Sequence, residues 1–173
     1  MISYTLLSFD EIKSTSDLLK EHFSSFSHFT IIKTNYQING RGQYDRVWSS
    51  NKDENILFSI LLKDLHINQM NDLKQWIVTS LIDFLTSYQL DPKFKNPNDI
   101  YIDNQKICGI LFESRTTQES LDYVVIGIGL NVNQVDFQSL NAISMKKILH
   151  KTFDIQSLFD ELMNTMLGRY QII

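Results

Sequence analysis

The near-continuous apolar run at residues 56–62, Ile-Leu-Phe-Ser-Ile-Leu-Leu, does most to limit how this chain folds. It is far too short for a membrane span and shows no polar alternation, so it reads as a strand buried inside a sheet. A buried strand needs neighbours and a cover. Residues 29–36 are β-branched and aromatic enough for a second strand. Residues 100–102 and 106–113 read as two more, joined at Asp103-Asn104 in a hairpin turn, and 121–132 as another that carries two glycines. For the cover, 68–88 places Met70, Leu73, Ile77, Leu81, Phe84, Leu85 and Tyr88 on one helical face. Ser14-Thr15-Ser16-Asp17 reads as a helix start, followed by Leu18, Leu19, His22 and Phe23 at helical spacing. Two further helices are expected near 139–150 and 155–170. The expected fold is α+β (α/β), a mixed β-sheet with helices packed against it, in a single domain over residues 1–173.

Composition narrows the function. The 16 lysines and arginines are scattered and the net charge is −4, so the clustered basic face of a nucleic-acid binder is missing and no nucleic-acid partner is expected. No apolar stretch reaches the length of a membrane span, and the first ten residues lack the basic start and apolar core of a signal peptide. The single cysteine, Cys108, excludes an intrachain disulfide and fits a reducing cytoplasm. Glycine is scarce, and five of the six fall in three short segments. Those segments are where backbone must bend sharply or come close to something.

The first segment is Gly40-Arg41-Gly42-Gln43-Tyr44-Asp45-Arg46-Val47-Trp48, which follows Tyr36-Gln37. Glycines on both sides of an arginine let backbone N–H groups and a guanidinium converge on one anion. Trp48 suits stacking on a base, or burial at the end of a polar loop. The second segment is Lys95-Asn96-Pro97-Asn98-Asp99, followed by Lys106-Ile107-Cys108-Gly109-Ile110-Leu111. Asn98 and Asp99 offer oxygens suited to hydrated magnesium or a ribose. Lys106 enters an apolar strand, so it needs an anionic partner or a route to solvent, the second being slightly favoured on local composition. Cys108 lacks an adjacent base and reads as a small core residue. The third segment is Val125-Ile126-Gly127-Ile128-Gly129-Leu130-Asn131-Val132-Asn133. It reads as a strand with a bulge or one that something approaches closely. A third glycine and a following helix are both lacking, which rules out a dinucleotide fingerprint.

Taken together and in this order, the segments resemble the biotin protein ligases. That family is marked by a Gly-Arg-Gly-Arg loop ending in Arg-X-Trp, then Lys-Trp-Pro-Asn-Asp, then Lys-X-X-Gly-Ile-Leu with a following glutamate, then Gly-X-Gly-X-Asn. The resemblance implies a catalytic domain alone, without the small C-terminal β domain usual in the family or the DNA-binding N-terminal domain of its regulatory members. It implies ATP-dependent activation of biotin to biotinyl-5'-adenylate and transfer to a lysine of a biotin carboxyl carrier protein domain. ATP and Mg²⁺ are the implied co-reactant and metal, and a homodimer is implied by analogy.

By matching positions, Ser14, Thr15 and Gln37 are implied at the ureido head of biotin, with backbone near Gly40, Gly109 and Leu111 lining its pocket. Arg41 and Lys106 are implied at the biotin carboxylate and α-phosphate, Arg46 at the phosphates, and Trp48 against adenine. Asn98, Asp99 and Asn131 are implied at nucleotide and metal, with Asp99 also assisting proton removal from the acceptor lysine. Bringing two anions together demands cations, since opposite charges near 4 Å are worth about 4 kcal/mol at an effective dielectric of 20. Three positions depart from the pattern. Ser16 stands for an asparagine, Asn96 for a tryptophan, and Gln43 for an arginine of the ATP-binding loop, which implies weak retention of the adenylate. The rival readings are a lipoate or octanoate ligase or transferase, and a non-catalytic biotin-binding protein.

Overall fold

A computed structural model describes residues 2–44, 46–118 and 120–170. One mixed sheet organises them, in the spatial order β1 (Thr5–Ile12), β2 (Thr30–Gln37), β3 (Asn55–Leu62), β8 (Ser120–Asn131), β7 (Gln105–Thr117), β6 (Asp99–Ile102) and β5 (Lys93–Lys95). A short β4 (Leu65–His66) pairs with the start of β8. Among the named strands only β1 and β2 pair in parallel.

The apolar run becomes β3, at the centre of the sheet and buried at every position. Successive side chains of a strand point to opposite faces, and the two faces of β3 meet different covers. Ile56, Phe58, Ile60 and Leu62 face α2 (Met70–Ser87) and α4 (Ile155–Tyr170). Leu61, with Ile32 and Val125, faces Leu19 of α1 (Thr15–Glu21). Each such side chain contributes roughly 1.5–3 kcal/mol on burial. The expected stripe of α2 is buried at Leu73, Ile77, Leu81, Phe84 and Leu85, and the indole of Trp76 donates to the Met166 carbonyl at 2.8 Å, tying α2 to α4. At the head of α1, Ser14 accepts from the Asp17 amide, as the sequence predicts for an N-cap.

Three strands escape the sequence reading: β1, β4 and β5. The expected helix at 139–150 shrinks to α3 (Met145–Leu149), which Ser144 caps. Residues 141–143 instead run beside β7, where the Lys106 amide donates to the Asn141 carbonyl and the Ile143 amide to the Lys106 carbonyl. The Asp103-Asn104 hairpin forms with both residues at positive φ, 47° and 64°, as a tight hairpin turn requires. No bulge interrupts β8 at its glycines. The irregularity in that ladder lies at Arg115/Thr116 of β7.

Candidate active site

The α1 face of the sheet carries a gap where side chains are missing. Gly129 pairs with Gly109, and Gly127 pairs with both Leu111 and Ser59. The glycines form a floor, and other groups lie directly on it. A Cβ built on Gly129 would meet Trp48 Cε2 at 2.5 Å, and one on Gly109 would meet Trp48 Cζ3 at 2.7 Å. One on Gly127 would meet Ser16 Oγ at 2.7 Å. Real side chains do not come this close, so the glycines admit the indole and the start of α1.

Trp48 thereby divides two cavities. The first is lined by Ser14, Thr15, Ser16, Gln37, Arg41 and Leu111 at one end, and by Asn98, Asp99, Lys106 and Gly109 at the other. Its α1 end is polar. The Gln37 side-chain oxygen accepts from the Thr15 amide at 2.8 Å and the Thr15 hydroxyl at 3.1 Å. Ser59 Oγ lies 2.6 Å from Thr15 Oγ1 and 2.9 Å from Ser16 Oγ. The second cavity opens on the far side of Trp48. Arg46, Tyr101, Asn131 and Phe137 line it, with Gln43, Asn98, Asp99 and Lys106 shared between the two.

Lys106 finds an anion. Its ammonium lies 2.6 Å from Asp99 Oδ1 and sits over the Trp48 ring, 5.4 Å from the centroid. The sequence reading favoured a route to solvent; the structure gives an ion pair, because the β6–β7 hairpin brings Asp99 opposite Gly109. Arg41 does not point at Lys106. Its guanidinium reaches Asp17 Oδ1 at 2.8 Å and Glu113 Oε1 at 3.2 Å. Glu113 stands four residues beyond Gly109 on β7, ~13 Å along the strand.

The remaining expected residues fall as follows. Gly40 lines neither cavity: it is packed against Trp48 and Gln37, where a Cβ would meet the Trp48 carbonyl oxygen at 2.4 Å. Asn131 is buried, and its amide donates to the Lys106 and Ile143 carbonyls, so it holds the backbone beneath the second cavity. Cys108 is fully buried, and desolvation pushes its thiol up to about 12, with Asp99 adding and Lys106 opposing. That makes it a core residue and not a nucleophile. Sequence reasoning assigned no role to Ser59, Asp17 or Glu113. The signals were the one serine in the buried run, and a glutamate in step with Gly109 and Leu111 on one face of β7.

Among the described residues no three His, Cys, Asp or Glu side chains gather as a metal cage. A magnesium ion carried in on phosphates asks less, one or two carboxylates and water. Asp99, with the Asn98 amide beside it on the wall common to both cavities, fits that demand.

Residues 8–131 match the Biotin/lipoate A/B protein ligase family. The chain belongs to this family. Among curated proteins it is 36% identical over 109 residues to the Bifunctional ligase/repressor BirA of Bacillus spizizenii, covering 61% of this chain and 33% of that one. It is 32% identical over 143 residues to Biotin--protein ligase 2 of Arabidopsis thaliana, covering 76% and 42%. The chain thus spans well under half the length of these relatives. Its fold superposes on the biotin protein ligase of Aquifex aeolicus in complex with biotin and ATP with a TM-score of 0.81 at 26% identity, over 96% of this chain and 70% of that one. The P. falciparum LipL1 complex with lipoate shares the fold alone, with a TM-score of 0.63 at 11% identity. No helix among the described residues is long and apolar enough to cross a membrane.

Proposed function

We propose that this chain carries the catalytic site of a biotin–protein ligase. The observation that carries the reading is the polar end of the first cavity. Thr15, Ser16 and Gln37 line its α1 end with hydroxyl and amide groups, and Ser59 hydrogen-bonds to the Thr15 and Ser16 hydroxyls. A ureido head offers donors and an acceptor to such groups. A dithiolane ring or an alkyl end offers none, and a site built to hydrogen-bond a ligand rejects the analogue that lacks those groups by large factors.

Ser14, Thr15 and Gln37 then hold the head, while the glycine floor and Leu111 flank the body. The tail carboxylate ends near Lys106. The nucleotide takes the second cavity, with adenine against Trp48 and the phosphates toward Arg46, Gln43 and Lys106. One carboxylate oxygen of biotin attacks the α-phosphorus, the bond to the β-phosphate oxygen breaks, and pyrophosphate leaves. The amine of an acceptor lysine, on a biotin carboxyl carrier domain, then attacks the acyl carbonyl. AMP leaves, and the proton passes to a nearby base, for which Asp99 is the carboxylate in place. Mg²⁺, held by Asp99 and Asn98 with the phosphates, would neutralise charge on the leaving pyrophosphate.

The test pairs two measurements. Biotin should raise the melting temperature and lipoate should not, because a ligand that binds only the native state stabilises it. Biotin with ATP should release pyrophosphate. A larger shift with lipoate would reverse the assignment, and a biotin shift without pyrophosphate release would leave a binding protein.

A further inference from the structure

Four charged side chains meet beside the α1 end of the first cavity, where Arg41 lines it, and the ligase reading gives none of them this task. Arg41 reaches Asp17 Oδ1 at 2.8 Å and Glu113 Oε1 at 3.2 Å. Lys20 reaches the same two oxygens, at 3.1 and 2.7 Å. Two cations therefore share two acceptor atoms. They differ in origin. Lys20 stands on α1 and its side chain is 18% exposed, whereas Arg41 comes from a loop and is 41% exposed. Arg41 is the cation that can leave, and Lys20 the one that stays. Glu113 is held from below, since it follows Leu111 and Phe112 on β7, and its second oxygen is buried with no partner among the described residues.

We propose that Asp17 and Glu113 are positioning residues that clasp Arg41 over the polar end of the cavity, and that Lys20 sets how readily the clasp opens. With Arg41 in place the four charges cancel. When Arg41 leaves, Lys20 still satisfies both oxygens, so opening strands no bare carboxylate pair. A fixed lysine beside the same oxygens also repels the arriving guanidinium. The clasp is therefore weakened on the side that makes it reversible. This deepens the ligase reading, on which the clasped end holds the ligand's head group.

The consequence is a pair of opposite effects on ligand release. Asp17→Asn should speed biotin dissociation roughly fivefold, the scale of a partly exposed ion pair. Lys20→Gln should slow it about twofold, because Arg41 then has both oxygens to itself. Asp17→Glu should restore the rate to near wild type. Raising the salt concentration should speed release from the wild type and leave Asp17→Asn nearly unchanged. If the four groups serve only to stabilise α1, Asp17→Asn and Lys20→Gln should instead both lower the melting temperature and shift release in the same direction, or not at all; either result overturns the clasp. If the wild type binds no biotin, the ligase reading fails first. Amide exchange at Gly42 and Trp48 in the ligand-free protein then decides the clasp alone: faster exchange in Asp17→Asn with slower exchange in Lys20→Gln upholds it, and unchanged exchange ends it.

Discussion

The two faces of β8 are built on opposite rules. On one face Ile126, Ile128 and Leu130 join the main core against α2 and α4. On the other, Gly127 and Gly129 leave a floor on which Ser16 and Trp48 lie directly. The residues alternate along one strand, so the backbone is common to both faces and only side-chain volume differs. Where volume is present it stabilises the fold. Where it is withheld the sheet gains two cavities with an indole wall between them. Stability and binding are thereby separated by a spacing of one residue, and substitutions on the two faces should fail in different assays.

The largest effect lies on the open face. Lys106→Ala should leave the fold intact and cut adenylate formation by a factor of about 10² to 10³, since one preorganised donor at a developing charge is typically worth ~3–4 kcal/mol. Pyrophosphate release within threefold of wild type would remove Lys106 from the reaction. Ile126→Ala, on the filled face, should do the reverse. It should destabilise the protein by about 3 kcal/mol, by lost burial and an imperfectly closed cavity. The protein that remains folded should release pyrophosphate at the normal rate, and a drop in rate as large as that of Lys106→Ala would dissolve the separation.

Gly129→Ala crosses the comparison with a single methyl group. Its Cβ would lie 2.5 Å from Trp48 Cε2, so the indole must rise from the floor. A displacement of about 1 Å near reacting groups can cost on the order of 10² in rate. The melting temperature should change little. A variant with normal pyrophosphate release and a lowered melting temperature would make the glycines a packing device and not a site.

Much of this was legible in the sequence, for reasons that differ by region. The buried run at β3, the stripe of α2 and the glycines of β8 are local patterns, and each survived folding. What failed depended on partners distant in sequence. β1 has a mostly exposed, irregular pattern and becomes a strand only because it runs parallel beside β2. Residues 141–143 gave up helix because the amide and carbonyl of Lys106 were available to them. The site divides the same way. Lys106, Trp48 and Gln37, which the motifs single out, line one cavity. Nothing local to Gly-Arg-Gly says that Arg41 will pair with Asp17, 24 residues earlier, and Glu113, 72 residues later. Motif spacing locates a residue's backbone, and the direction of a long cation is set by whichever carboxylates the fold brings near.

The smallest effect concerns the wall between the cavities. Gln43 lines both, beside Asn98, Asp99 and Lys106, at a position where the resembling family carries an arginine. A guanidinium there would offer a permanent charge and several donors to the phosphate of the intermediate. Glutamine is neutral, shorter and half acceptor. Hydrogen bonds to charged groups contribute roughly 1.5–3 kcal/mol against about 1 for neutral ones, so the exchange costs on the order of tenfold in retention of the adenylate. Arg41 pairs with Asp17 and Glu113 at the α1 end of the first cavity, and among the described residues Lys106 and Arg46 are the cations that line the second. We therefore expect biotinyl-adenylate to escape and acylate lysines of unrelated proteins, and Gln43→Arg to suppress that labelling about tenfold while pyrophosphate release in the first turnover stays the same. The measurement is biotin incorporated into a lysine-rich bystander by each form at matched adenylate production. Equal labelling by the two forms would mean that Arg46 supplies the missing charge. In that case Arg46→Ala, and not Gln43, should control the leak.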